Sequence, residues 1–248
     1  MVLTRQPIAI LTTGDNAYGQ NAYGSGDVGS VDYASLVGRW YCRYLADAPP
    51  SPACPGSAMA RVNRFYPAAG NHDYSDAGIE AYQDYFVAAR ARTWYAVVIE
   101  DVEFLVLDSQ RALDDPVSMA AQRAWLARRA RSSTADWQVV VLHHPPYSSS
   151  SVHGSTKAFQ WPYRTWGVDL VIAGHDHHYE RLRRWGVTYL VNGAGGADLY
   201  RLGPRIMGSL VANDQVHGAV FLRASPSALM AEFRATSGEM VDRFALTQ

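Results

Sequence analysis

The sequence predicts an α/β fold. Three observations carry that reading: short β-branched apolar runs, stretches of helical period between them, and polar residues set directly at the C-terminal ends of the runs. Strand and helix patterns alternating in one chain build a sheet with helices on its faces. A chain of 248 residues, 48% hydrophobic and 18% charged, is not disordered and buries a core without staples.

The elements follow in order. An apolar run at 8–13 reads as a buried strand that delivers Asp15 after Gly14. Residues 16–30 are rich in Gly, Asn and Tyr and read as a loop, with NAYG at 16–19 and again at 21–24. Helical periodicity appears at 33–45, before the proline-rich PPSPACPG. A second strand is predicted at 64–69, ending in Gly70-Asn71-His72-Asp73, and a helix at 80–88. Runs at 94–100 and 103–107 read as strands around a Glu100-Asp101 turn. The stretch 118–131 reads as an amphipathic helix whose Arg123, Arg128, Arg129 and Arg131 face solvent. The continuous β-branched run 138–142 reads as a strand buried on both faces, ending in His143-His144-Pro145-Pro146-Tyr147. A Ser-rich loop leads to a predicted helix near 156–166. The strand at 169–173 then ends in Gly174-His175-Asp176-His177-His178. From Tyr179 onward, strands alternate with Gly-rich turns. Asn192-Gly193-Ala194-Gly195-Gly196 reads as one of these, because no helix pattern follows it.

The net charge is −1, from 22 basic and 23 acidic side chains. That balance, with no basic strip interleaved with aromatics, argues against nucleic acid or an anionic membrane as the main partner. No apolar run approaches the ~20 residues of a membrane-spanning helix. The opening MVLTRQPIAILTTGD lacks the regions of a signal peptide. Cys42 and Cys54 stand close together on irregular chain, either as a disulfide or as two reduced thiols. Pairing would indicate an oxidising compartment, and so a secreted or extracytoplasmic protein.

Asp15, Asn71-His72, His143-His144 and His175-Asp176-His177 each stand at the end of an apolar run. Ligands of open α/β sheets bind beyond the carboxyl ends of the strands. Convergence of these ends would gather Asp, Asn and several His into one site. A carboxylate can span two cations, and neutral imidazole suits transition metals.

Gly14-Asp15-Asn16-Ala17-Tyr18, Gly70-Asn71-His72-Asp73, His143-His144-Pro145-Pro146-Tyr147 and Gly174-His175-Asp176-His177-His178-Tyr179-Glu180-Arg181 resemble the calcineurin-like metallophosphoesterase superfamily, and within it the purple acid phosphatase branch. The resemblance covers roughly residues 8–196. It implies a four-layer α/β/β/α sandwich of two mixed sheets flanked by helices, formed by residues 1–248 as a single metallophosphoesterase domain. It further implies hydrolysis of a phosphate ester by a metal-bound hydroxide, with a phosphomonoester favoured and a diester or nucleotide as the alternative. Asp15 would bridge two ions. Tyr18 and His177 would complete the site of Fe³⁺; Asn71, His143 and His175 would hold a divalent ion (Fe, Zn or Mn). His72 would contact phosphate and protonate the leaving group, with Asp73 orienting its ring. His153 would contact a small phosphorylated substrate. His144 and His178, as strand neighbours of ligands, would point away, while Tyr147, Tyr179 and Arg181 would support the site.

One family motif has no counterpart. The family's first strand carries an Asp to the first ion a few tens of residues before the bridging carboxylate. None of the 14 residues before Asp15 is Asp, Glu or His. The expectation is a first site held weakly by Asp15, Tyr18 and His177, with neighbouring strand edges exposed. Three explanations stand: a chain truncated at its start, a complete chain with a substitute ligand, or a non-catalytic protein that binds a phosphorylated ligand or partner. The retained His72-Asp73 pair argues against the last.

Overall fold

The computed structural model describes residues 5–18, 33–74 and 78–248. The first two strands, β1 (Ile10–Thr12) and β2 (Phe65–Pro67), pair in parallel. Between them lie a short π-helical turn at Ala34–Gly38, α1 (Arg39–Tyr41) and a 3-10 turn at Cys42–Tyr44, in place of one regular helix. Next comes α2 (Glu80–Tyr85), followed by the hairpin of β3 (Tyr95–Ile99) and β4 (Val102–Val106).

Two helices follow β4. The short α3 (Ser109–Asp114) is absent from the sequence reading; Asp108 caps it, accepting from the Arg111 N–H. The helix α4 (Pro116–Arg131) begins before the periodicity shows it, because the Asp115 carboxylate accepts from Val117 N–H and Pro116 opens the first turn. The chain continues through β5 (Trp137–Val141) to a 3-10 turn at Lys157–Phe159 and α5 (Tyr163–Trp166). The single helix expected near 156–166 is therefore broken, with Pro162, which has no N–H, at the join. Then come β6 (Leu170–Ala173), β7 (Tyr179–Arg184), β8 (Val187–Asn192) and β9 (Ser209–Asn213). A final meander comprises β10 (Gly218–Ser225), β11 (Ala228–Ala235) and β12 (Met240–Thr247).

The main sheet has seven strands in the order β3-β4-β5-β6-β8-β7-β9. Its central strands β4, β5, β6 and β8 run parallel. Both of their faces are covered, which accounts for the unbroken apolar runs. On one face Leu105, Val140 and Val171 pack with Leu126 and Ala130 of α4. On the other, Phe104, Val139 and Ile172 meet Leu229 and Phe233 of β11 and the edge of the β1–β2 pair. Beyond β1 and β2, Phe65 packs with Val37, Tyr82 and Phe86. The order of layers is helix, sheet, sheet, helix, as expected. The second sheet layer differs in one respect: it consists of the parallel β1–β2 pair and the antiparallel β10–β11–β12 sheet, which among the described residues share no hydrogen-bonded strand pair. Arg5 lies across from β1 to β10, its guanidinium 5.1 Å from the Phe221 ring.

Cys42 and Cys54 are bonded, their Cα atoms 5.4 Å apart and 12 residues apart in sequence. A crosslink of that span restrains the unfolded chain by about 3 kcal/mol on the loop-entropy account. Urea unfolding with a reductant present should show a loss of that order; an unchanged midpoint would contradict it. No helix among the described residues is long and apolar enough to cross a membrane.

Candidate metal centre

The C-terminal ends of β1, β2, β5 and β6 meet at one edge. The glycines before Asp15 and Asn71 have a steric reason. Gly14 has φ of +93°, and a Cβ there would stand 2.7 Å from Cγ of His143. At Gly70 a Cβ would strike the backbone N of Asp15 and approach His143 Cε1 to 2.9 Å. Glycine lets backbone approach side chain where they must touch. Gly14→Ala should lower stability by about 1–3 kcal/mol through strain and overpacking and push the His143 ring out of place. Unfolding curves and a metal titration of that variant check this; wild-type values in both would contradict it.

Asp15 and His175 themselves have φ of +51° and +64°. Left-handed backbone in a residue other than glycine costs on the order of 1–3 kcal/mol and persists only where its surroundings hold it. Here the turns aim both side chains into the cluster. The His72 N–H donates to Asp15 Oδ1 at 2.9 Å.

His143 is the centre. Its Nδ1 faces the Thr13 carbonyl at 2.8 Å. A carbonyl can only accept, so Nδ1 carries the proton and Nε2 presents its lone pair. That nitrogen lies 3.3 Å from Asp15 Oδ2, 3.0 Å from Asn71 Oδ1 and 3.0 Å from His175 Nδ1. The Asp15 carboxylate and the Asn71 carbonyl also only accept. Acceptor atoms gathered around one buried ring, only 1% exposed, are a set that suits a cation.

A second group lies on the other side of Asp15. The Tyr18 hydroxyl is 3.4 Å from Asp15 Oδ2 and 3.1 Å from His177 Nε2. The His177 Nδ1–H donates to the Asp198 carbonyl at 2.8 Å, which again leaves Nε2 free as a donor of electrons. The two groups thus share the Asp15 carboxylate.

Protonation states suit ligation. Burial, reinforced by neighbouring imidazoles, pulls His175 down to about 2. Burial likewise lowers His177, although the Asp198 carbonyl opposes it. Burial alone would raise Asp15, but the His143 contact and the His72 N–H outweigh it and hold the carboxylate at about 2. Near neutral pH these imidazoles are uncharged and Asp15 is ionised, the forms that bind metals.

His72 is exposed at the mouth, its ring centroid 4.6 Å from that of Tyr18. His153 is also exposed and brings its ring to 4.1 Å from His175. Asp73 behaves differently from the expectation that it orients His72. Its carboxylate accepts from Gly70 N–H at 2.9 Å, Asn16 N–H at 3.1 Å and the Tyr33 hydroxyl at 3.0 Å, with no bond to the His72 ring among the described residues. The cause is local: Gly70 to Asp73 forms a 3-10 turn in which the carboxylate reaches back to the first N–H. Burial pushes Asp73 up to about 6.

His144 also departs from expectation. It does not point away: its ring lies 4.4 Å from that of His175, and ligand atoms of His143, His144 and His175 fall within 4.8 Å of one another. Ser109 Oγ contacts His144 Nδ1 at 2.9 Å, and burial lowers that imidazole to about 3. Ser109 follows Asp108, the cap of α3. His178 does turn away, toward Glu180 at 3.4 Å. Tyr147 packs on Tyr189 inside the sheet, while Tyr179 and Arg181 both bind Asp242 of β12 at 2.7 Å. They support the fold at a distance from the cluster. Tyr23, in the second NAYG copy, lies outside the described residues.

Comparison with known proteins agrees with this geometry. Residues 3–179 match the calcineurin-like phosphoesterase family. An uncharacterised protein of Mycobacterium tuberculosis is 29% identical over 167 residues, covering 56% of this chain and 30% of the relative. Phosphoenolpyruvate phosphatase of Allium cepa is 30% identical over 105 residues, 39% of this chain and 21% of that protein. The chain therefore spans less than a third of these relatives. A purple acid phosphatase from yellow lupin (Lupinus luteus) seeds shares the fold, with a TM-score of 0.64 and 22% identity over 79% of this chain and 42% of that one. The chain belongs to the calcineurin-like phosphoesterase family.

Proposed function

We propose that the protein is a metal-dependent phosphatase acting on small phosphate monoesters, with residues 1–248 forming one metallophosphoesterase domain. The observation that carries this reading is the set of lone pairs facing one point around His143 Nε2. Asn71, His143 and His175 fit a divalent ion (Fe, Zn or Mn); Tyr18 and His177 fit Fe³⁺, for which a phenolate is a hard ligand; Asp15 serves both. Among the described residues the first site has only Tyr18 and His177 of its own beside the shared Asp15. When bound, such ions supply positive charge to phosphoryl oxygens and lower the pKa of water toward neutrality.

The chain's own residues do the remaining work. The neutral Asn71 and His ligands leave the centre short of negative charge, which favours an anionic phosphate. His72 stands at the open mouth, where a departing alkoxide needs a proton. His153, on the opposite rim near His175, is placed to contact the substrate. The disulfide suits a secreted or extracytoplasmic setting. Chelator-treated protein should be inactive on an aryl phosphate and recover when Fe³⁺ plus Zn²⁺ or Mn²⁺ is restored. Turnover that survives chelation, or a diester hydrolysed faster than the monoester, would contradict the reading.

A further inference from the structure

The geometry points to Tyr200 as a positioning residue that holds His177 in the orientation the first metal site requires. The inference rests on the metal-centre reading and names a residue outside every motif of the sequence.

Three contacts from one short segment grip His177. The Asp198 carbonyl accepts from His177 Nδ1 at 2.8 Å. The Tyr200 N–H donates to the His177 carbonyl at 2.9 Å. The Tyr200 ring lies flat against the imidazole, with centroids 4.0 Å apart and planes inclined by 16°. The segment returns to His177 through the Gly193–Gly196 turn after β8, and a Cβ at Gly193 would strike the Asp176 carbonyl.

These contacts divide the labour. The Asp198 bond selects the tautomer and so frees Nε2. A single hydrogen bond still lets the ring tilt about that contact. The stacked phenol blocks the tilt and keeps Nε2 aimed at the Tyr18 hydroxyl, 3.1 Å away. Aromatic pairs of this kind contribute about 0.5–1.5 kcal/mol beyond the area they bury. Among the described residues the other groups at this position are Tyr18 and Asp15, and Tyr18 is carried on the turn after β1. With so few ligands, loss of aim at one imidazole weakens the whole site. The second site meets Tyr200 only indirectly: its His143 is fixed by Thr13, and its His175 touches His143 and His153, of which His153 lies 5.6 Å from the Tyr200 ring.

The test is ferric-ion binding to metal-free protein, by competition with a chelator and by the visible absorbance of the tyrosine–iron pair. Tyr200→Leu keeps bulk but not the flat stack; Tyr200→Phe keeps both. The backbone contact survives in each. Tyr200→Leu should bind Fe³⁺ roughly 2–13-fold more weakly, the fold-change of that stacking energy, Tyr200→Phe like wild type, and Zn²⁺ binding at the His143 site should change far less. Equal ferric affinity in Tyr200→Leu and wild type overturns the role of Tyr200 while leaving the metal centre standing. Equal losses in Tyr200→Phe and Tyr200→Leu overturn the stacking argument. A wild-type protein that binds no ferric ion overturns both this inference and the reading beneath it.

Discussion

His143→Ala should abolish phosphatase activity, by more than about 10²-fold, the upper end of what even an outer-shell change costs a metal site. Bound metal should fall with it. One ring there serves four partners: Thr13 through Nδ1, and Asp15, Asn71 and His175 through Nε2. No neighbour can replace it, because Asn71 and Asp15 reach the same point only as its companions. His144 is the nearest spare imidazole, but its Nδ1 is engaged by Ser109. The fold should persist, since the sheet's core lies below the cluster. Metal analysis, an activity assay and circular dichroism on the variant check the three parts. Normal metal content with normal activity would defeat the assignment.

His72→Asn should leave metal binding intact and slow substrates with poor leaving groups by about 10²–10⁴-fold, the usual contribution of positioned proton transfer. Aryl phosphates, whose leaving groups need little protonation, should lose far less. The argument rests on where the structure puts His72: its backbone N–H anchors Asp15, while its ring is exposed beside Tyr18. Asn keeps the backbone bond and removes the acid. If alkyl and aryl phosphates fall by one factor, His72 binds substrate and donates no proton.

Much of this site was legible in the sequence because its ligands sit at strand ends, where the change from apolar run to Asp, Asn or His is visible residue by residue. β1, β2 and β6 fall within the predicted runs, β5 is offset from its run by one residue, and their ends meet. The outlying parts were not legible, each for a physical reason. Asp73 follows His72 in the chain, but its carboxylate is captured by the backbone N–H of its own turn. His144 was expected to alternate away from His143, as in a continuing strand. The strand stops at Val141, so alternation no longer applies beyond it. Tyr200 reaches the cluster only through tertiary packing, and no local pattern marks it. The second sheet layer follows from pairing between distant strands, which periodicity cannot show; in it β1 is paired with β2 and β10 with β11.

The central claim is that two cations share Asp15, one among Asn71, His143 and His175 and the other beside Tyr18 and His177. Anomalous diffraction from crystals equilibrated with Fe³⁺ and Zn²⁺ tests it most directly. The account predicts two peaks, roughly 3.5–4 Å apart as in other two-metal sites, flanking the Asp15 carboxylate. Ions bound elsewhere, or a cluster that stays empty while Tyr18 turns from Asp15, would contradict it.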